Sequence, residues 1–108
     1  MAFKRAMTPT FSTKVTVNVP NDRGGYDKQT FTAKFKRMSS EERDDLKKLT
    51  NEELVRRQMV GWDLVDADTG EAVPFSADEL EALLAIEPTP LATALAFWET
   101  VNGARAKN

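Results

Sequence analysis

Apolar and polar residues alternate strictly in two segments of the N-terminal third. The first runs from Phe11 to Val19 and is rich in valine and threonine, and the second runs from Phe31 to Phe35. A period of two with β-branched residues is typical of a strand that buries one face. The residues between them, Pro20 to Asp27, are turn formers. The two segments therefore predict a β-hairpin whose apolar face must be covered, because an isolated hairpin is marginally stable in water.

Helical spacing replaces this alternation after residue 38. Ser39–Glu42 and Thr50–Glu53 both have the capping-box pattern, in which the first hydroxyl and the last carboxylate bond amide groups at a helix start. The first helix is mostly charged and is expected to face solvent. A second helix begins after a break at Thr50, although a single helix that continues to Val60 also fits the pattern. We expect Gly61 to end this helix, because glycine adopts a left-handed C-terminal cap without steric cost.

Turn and cap signals divide the C-terminal half. Asp66–Gly70 has the composition of a tight turn. Ser76 starts a third capping box before a short leucine-rich helix, and Thr89–Pro90 starts the last helix, which Gly103 ends. We expect structural roles, mainly in capping, turning and packing, for Gly61, Trp62, Gly70, Pro74, Phe75 and Ser76.

These elements predict one α+β domain over residues 1–108. An N-terminal β-hairpin packs on a small bundle of about four α-helices, which cover its apolar face. Trp62, Pro74 and Phe75 are expected to lock the last two helices to the rest of the domain. Residues 1–10 and 104–108 are expected to be frayed.

The last helix carries more large apolar residues than a single stripe can hold. Leu91, Leu95 and Trp98 fall on one stripe, and Phe97 and Val101 widen it to a neighbouring face. Two interpretations remain open. Either all five side chains belong to the core, or part of this surface contacts another subunit or a partner. In the second case Phe97, Trp98 and Val101 are the candidate contact residues.

The composition narrows the possible chemistry. The chain has 108 residues, of which 41% are hydrophobic and 30% charged, as expected for one small globular domain. It has no cysteine and no histidine, which removes disulfides, thiol chemistry and the commonest general base and metal ligand. Asp66–Gly70 lacks the ligand spacing of a calcium loop. We therefore predict no catalytic, cofactor-binding or metal site, and hence a protein that is not an enzyme.

Charge divides the chain into two parts. Residues 1–38 carry eight basic and two acidic side chains, whereas residues 39–108 carry seven basic and fifteen acidic ones. Between Gln58 and Ala104 there is no basic residue. The two parts can pair within one molecule, or the basic part of one copy can meet the acidic part of the next. In the second case Lys34, Lys36 and Arg37 are the candidate contact residues.

Neither nucleic acid nor a membrane is an expected partner. The alternation puts Phe31 and Phe35 on the face opposite the lysines, so aromatic stacking on bases is disfavoured. The isoelectric point near 5.2 also disfavours a polyanion as partner. No apolar run approaches the roughly 20 residues of a membrane-spanning helix. A protein partner in the cytoplasm is therefore the expectation.

In their order, these features resemble the tail assembly chaperones of long-tailed bacteriophages and prophages. The strand pair ends in Phe31–Arg37, and an acidic Ser-Glu-Glu helix start and the Val-Gly-Trp of residues 60–62 follow. An Asp/Gly turn, Val73–Ser76, a short leucine-rich helix, an aromatic-bearing last helix and a Lys107–Asn108 end complete the series. The resemblance covers nearly the whole chain from Phe11.

The resemblance implies a non-enzymatic protein that self-associates into rings or spirals. Members of that family coat the tape measure protein and keep it soluble until the tail tube forms around it. The implied location is the host bacterial cytoplasm, and not the mature virion. Many members are also made in a longer, frameshifted form that is expected to recruit the tail tube protein. The alternatives are a small protein-binding adaptor and, with less support, a nucleic-acid-binding regulator.

Overall fold

This computed structural model describes residues 8–103. They form a three-stranded antiparallel sheet in the order β1–β2–β3 and four helices. The predicted α+β class is confirmed. The elements in chain order are β1 (Thr10–Pro20), β2 (Tyr26–Lys36), α1 (Arg43–Lys47), α2 (Asn51–Gln58), β3 (Met59–Trp62), α3 (Ala77–Leu84) and α4 (Thr89–Val101). The predicted fraying of residues 1–7 and 104–108 lies outside the described residues.

The predicted β-hairpin is confirmed, and it is longer than the sequence pattern indicated. β1 pairs with β2 from Thr10 opposite Lys36 to Pro20 opposite Tyr26. The connection is therefore confined to residues 21–25, shorter than the predicted loop. Asn21 closes it, because its Oδ1 accepts the backbone N–H groups of Arg23 and Gly25, both at 3.0 Å. This is the local side-chain bonding that makes asparagine a turn former.

The expected helix cap at Gly61 is wrong, because Gly61 belongs to a third strand. α2 ends at Gln58, and the backbone becomes extended at Met59, with φ −80° and ψ 127°. β3 then pairs antiparallel with β2 and places Gly61 opposite Lys34. A left-handed cap requires a positive φ, and Gly61 is not among the glycines that have one. The backbone becomes extended here because the Met59 side chain is buried in the core at the end of α2.

Two of the three predicted capping boxes, Thr50–Glu53 and Ser39–Glu42, form both of their bonds. Thr50 Oγ1 accepts the Glu53 N–H at 3.1 Å and the Glu53 carboxylate accepts the Thr50 N–H at 2.9 Å, so the break between α1 and α2 is confirmed. Ser39 and Glu42 exchange the same pair of bonds, but they close a turn and α1 begins only at Arg43. Backbone hydrogen bonds from Thr50 and Ser39 lower the pKa of Glu53 and of Glu42, respectively, below the ordinary value.

The core lies between the inner face of the sheet and the helices α2, α3 and α4. Phe97 of α4 is at its centre, with its ring centroid 5.1 Å from that of Phe35 and 5.8 Å from that of Phe11. The buried apolar side chains are Val15, Val17, Phe31, Ala33, Phe35, Leu46, Leu54, Val55, Met59, Leu80, Leu84, Ala94, Ala96 and Phe97. The strict alternation in β1 and β2 therefore does bury one face, as predicted.

Replacing Thr93 with valine is expected to stabilise the domain by about 1 kcal/mol. Thr93 lies on α4 with 0% exposure, and its Oγ1 has no hydrogen-bond partner among the described residues. Valine has nearly the same shape and removes a buried hydroxyl that gains nothing from folding. Urea unfolding followed by far-UV circular dichroism measures the change.

Thr100→Val on the same helix is the matched control for this prediction. Thr100 Oγ1 donates a hydrogen bond to Thr13 Oγ1 at 2.7 Å, so here valine removes a formed bond. We expect Thr100→Val to lower the free energy of unfolding by about 1 kcal/mol. A Thr93→Val protein that unfolds at lower urea than the parent contradicts the explanation.

Candidate interaction surfaces

The outer face of the hairpin is polar and basic. Alternation along β2 exposes Lys34 and Lys36 on the face opposite the buried Phe35. Lys28 is exposed on the same side, and Ser12 of β1 lies opposite Lys34. Lys34 and Lys36 form no ion pair with another residue in the described range 8–103. These two lysines and Lys28 are called the basic face below.

Arg37 has a different position from the two lysines with which it was grouped. It follows β2, and its Nε donates to the Thr8 carbonyl at 2.6 Å while its backbone N–H donates to the Pro9 carbonyl at 3.0 Å. Its guanidinium lies 5.8 Å from the centroid of the Phe11 ring. Arg37 thus ties residues 8–11 to the end of β2. Thr8 and Pro9 are thus hydrogen-bonded to Arg37, whereas the fraying of the chain ends stays a prediction.

Residues 66–71 carry several acidic side chains and form a turn that is fixed by hydrogen bonds. Asp66 Oδ1 accepts the N–H groups of Asp68 at 2.8 Å and of Thr69 at 3.2 Å. Gly70 has φ 74°, where a side chain is strained, and its N–H donates to the Asp66 carbonyl at 2.7 Å. The predicted turn at 66–70 is confirmed, and it leaves Asp68 and Glu71 exposed. The exposed Asp68 and Glu71 are called the acidic turn below.

The ion pairs of the described residues do not join the basic face to the acidic turn. Arg23 pairs with Asp27 inside the hairpin at 3.6 Å. Arg56 of α2 binds Glu81 of α3 through two bonds of 2.6 and 2.8 Å. The side-chain hydrogen bond from Arg56 is the main reason that the pKa of Glu81 lies below its ordinary value. Neither pair involves Lys34 or Lys36, which leaves these lysines available for contact with another molecule.

Trp62 and Phe75 fasten the segment between β3 and α3. The Trp62 Nε1 donates to the Val73 carbonyl at 2.8 Å, and its ring meets the Phe75 ring edge-on with centroids 4.7 Å apart. Trp62 is half-buried, whereas Pro74 is exposed. Ser76 Oγ accepts the Glu79 N–H at 3.2 Å and so caps α3. These residues hold the acidic turn in place beside the sheet.

The large apolar residues of α4 divide between two faces. Phe97 has 0% exposure and belongs to the core, so its assignment to a contact surface is wrong for this domain. Trp98 and Val101 are half-buried against the core. Leu91 and Leu95, one turn apart, are 49% and 50% exposed and form an apolar patch. The core side of α4 takes small residues instead, among them Ala94 and Ala96.

A groove of about 590 Å³ opens beside the start of α4. Its lining comes from β1, β2, the segment after β3, and the region between α3 and α4. The residues that line it include Val17, Val19, Phe31, Leu64, Val65, Leu83, Ile86 and Thr89, with Asp27 and Asp63. We call it the hairpin groove. No local sequence pattern predicts the groove, because its lining joins segments that are far apart in the chain.

The surfaces described above are the observations from which a function can be assigned. Among residues 8–103, no three acidic side chains are grouped so that they could hold a metal ion. Within the same range no single helix is long and apolar enough to cross a membrane, and α3 and α4 meet that criterion only as a pair bent by 104°. No protein-family model, curated protein or solved structure matches the chain.

Proposed function

We propose that this protein is a tail assembly chaperone of a long-tailed bacteriophage or prophage. In this role it self-associates, coats the tape measure protein during tail assembly and catalyses no reaction. It acts in the host cytoplasm and does not remain in the virion. A longer frameshifted form and the tail tube protein are its further expected partners. The observation that supports the proposal is that one small domain exposes a basic face and an acidic turn that no ion pair of the described residues joins.

The separation of charge favours a head-to-tail contact between copies. Lys34 and Lys36 extend from the outer side of the sheet, and Asp68 and Glu71 extend from the turn between β3 and α3. A contact that joins two different surfaces of the same molecule repeats from copy to copy, so it generates rings or open spirals. Opposite charges on the two surfaces give such a contact its direction.

The apolar patch on α4 supplies the second element of the contact. Leu91 and Leu95 are about half exposed, and no charged residue lies between Glu87 and Glu99. Burying such side chains is worth about 25 cal/mol per Å² of apolar surface. Trp98 and Val101, half-buried beside the patch, extend it toward the end of the helix. The patch therefore adds affinity to a contact that the charges orient.

The molar mass in solution tests the self-association. We expect light scattering after size exclusion to give a mass well above the 12.1 kDa of one chain at about 0.05 M salt. At about 1 M salt the Debye length falls to about 3 Å, and the mass is expected to decrease. A strictly monomeric particle at high protein concentration and low salt contradicts the proposal.

Charge reversal of the basic face or of the acidic turn is expected to abolish the assembly. Mixing the two variants is expected to restore it. The first variant carries Lys34→Glu and Lys36→Glu, and the second carries Asp68→Lys and Glu71→Lys. Each variant alone opposes like charges and should be monomeric, whereas an equimolar mixture pairs opposite charges again. Light scattering of the two proteins, separate and mixed, measures the outcome.

Reversal of Lys47 and Lys48 to glutamate is the control for this experiment. Both lysines are exposed at the end of α1, outside the basic face, and the change in net charge equals that of the first variant. Assembly should survive this change. Loss of assembly in the control, or a mixture that stays monomeric, shows that the two charged surfaces are not the contact.

The hairpin groove favours a second candidate, a small adaptor that binds one protein as a monomer or dimer. Its apolar lining suits a segment of a partner, and an adaptor does not require head-to-tail assembly. The molar mass separates the two functions. A protein that stays monomeric or dimeric under all salt conditions but binds a partner through the groove is an adaptor.

A further inference from the structure

We propose that the hairpin groove binds an amphipathic helix of a partner protein, with apolar side chains directed inward and Lys or Arg side chains at its edges. The proposal deepens the proposed function, and it rests on that function only for identifying the partner as the tape measure protein. The groove itself is defined by this chain and by its own chemistry.

The floor of the groove is a continuation of the sheet face that α4 covers. α4 packs on β1, and Thr89 at its first turn lines one end of the groove. Val17 and Phe31 form the floor of the groove and are only 2% and 6% exposed, so the apolar surface open to a partner lies on the walls. A helix from a partner would lie between these walls, beside the start of α4.

The walls of the groove expose apolar surface that this chain does not cover. Val65 is 60% exposed on one side and Ile86 is 46% exposed on the other, with Leu64 and Leu83 half-buried below them. The volume of about 590 Å³ is within the range of about 300–1,000 Å³ that is usual for ligand sites. An amphipathic helix places side chains at i, i+3 and i+4 on one face, so it can fill such an open channel with several anchors.

The charges at the groove select a basic partner. Asp27 and Asp63 are the charged side chains among the described lining residues, and no Lys or Arg is among them. Asp63 is held in position because its Oδ1 accepts the Thr32 N–H at 2.6 Å, and an ionised carboxylate retains further acceptor capacity. Asp27 has the exposed Arg23 beside it at 3.6 Å, so Asp63 is the stronger candidate contact.

The same charges disfavour a second copy of this chain as the occupant. The apolar patch on α4 is the exposed helical face that another copy offers, and the charged residues that flank α4 are Glu87 and Glu99. Inserting that helix would bring acidic side chains toward Asp63. An amphipathic helix with Lys or Arg on its flanks meets no such repulsion.

A pair of synthetic helical peptides tests the site. The probe is a peptide of about five helical turns, built from leucine on one face and lysine on the other, and the matched control has glutamate in place of lysine. Each peptide is titrated into the isotopically labelled protein while amide chemical shifts are recorded. We expect the lysine peptide to bind, with the largest shifts at Leu64, Val65 and Ile86, and the glutamate peptide not to bind.

Variants of the protein locate the contact. Val65→Ser together with Ile86→Ser should weaken binding of the lysine peptide at least about tenfold, because both apolar walls are lost. Asp63→Asn should weaken it by a smaller factor. Val60→Ser is the matched control, since Val60 is 40% exposed on β3 and lies outside the groove. This control should bind like the parent, and circular dichroism of each variant verifies folding.

The proposal is overturned if neither peptide binds or if both bind equally. Shifts that map to the basic face or to the α4 patch overturn it as well, and so does unchanged affinity in the folded Val65→Ser, Ile86→Ser protein. The proposed function fails in a different way, through a protein that stays monomeric in light scattering. If the protein is monomeric but binds the lysine peptide, the groove site is supported and the chaperone assembly is contradicted. If the protein assembles but does not bind the peptide, the assembly is supported and the groove site is contradicted.

Discussion

Replacing Phe97 with alanine is expected to lower the free energy of unfolding by about 3–5 kcal/mol. The side chain has 0% exposure and contacts three aromatic rings, those of Phe11, Phe35 and Trp98. Its removal leaves a cavity between α4 and the sheet that the remaining rings cannot fill without moving. A domain of this size has about 5–15 kcal/mol of total stability, so the variant should lose a large fraction of it.

Urea unfolding measured by circular dichroism gives the size of this effect, and Leu95→Ala on the same helix is its control. Leu95 is 50% exposed, and alanine is the best helix former, so we expect a change within about 0.5 kcal/mol. If Phe97→Ala is as stable as Leu95→Ala, then α4 does not pack on the sheet as described.

Replacing Trp62 with alanine is expected to cost about 2–3 kcal/mol, less than the about 3–5 kcal/mol of a fully buried large aromatic. The ring is half-buried, so part of its surface is in water in the folded state. The change removes the edge-on contact with Phe75 and the hydrogen bond from Nε1 to the Val73 carbonyl. The segment that carries the acidic turn should then be released from β3.

Trp62→Phe separates the two contributions. Phenylalanine keeps a ring beside Phe75 but lacks the N–H donor, so we expect a loss of about 1 kcal/mol from the hydrogen bond. Urea unfolding of both variants provides the comparison. A Trp62→Ala protein of unchanged stability that no longer assembles shows that Trp62 is a contact residue and not part of the packing.

Local chemistry explains which elements the sequence predicted correctly. The hairpin follows from a period of two in Phe11–Val19 and in Phe31–Phe35, although β2 itself extends back to Tyr26. The start of α2 and the turn at 66–70 follow from side chains that bond backbone groups two or three residues away, as Thr50 and Asp66 do. These signals need no knowledge of the rest of the fold, so a single sequence is enough to read them.

Tertiary contacts explain what the sequence did not predict. β3 has only four residues, too few to show a period, and it forms because Met59 packs in the core and the backbone pairs with β2. On α4 the small residues Ala94 and Ala96 face the core, which leaves the larger Leu91 and Leu95 outside. Phe97 is buried on the same helix, so the size of a side chain does not by itself show which face of α4 is internal. The hairpin groove joins distant segments and has no local signal at all.

The proposed function predicts that this chain keeps a tape measure protein soluble, and the soluble fraction of that protein is the direct measurement. The tape measure protein that the proposal expects to be encoded near this chain is produced in bacteria alone, with this chain, and with its Phe97→Ala variant as a control for a destabilised chaperone. We expect it to be insoluble alone and with the variant, but mostly soluble and co-purified with the parent chain. A tape measure protein that stays insoluble in the presence of excess, folded chain contradicts the proposed function.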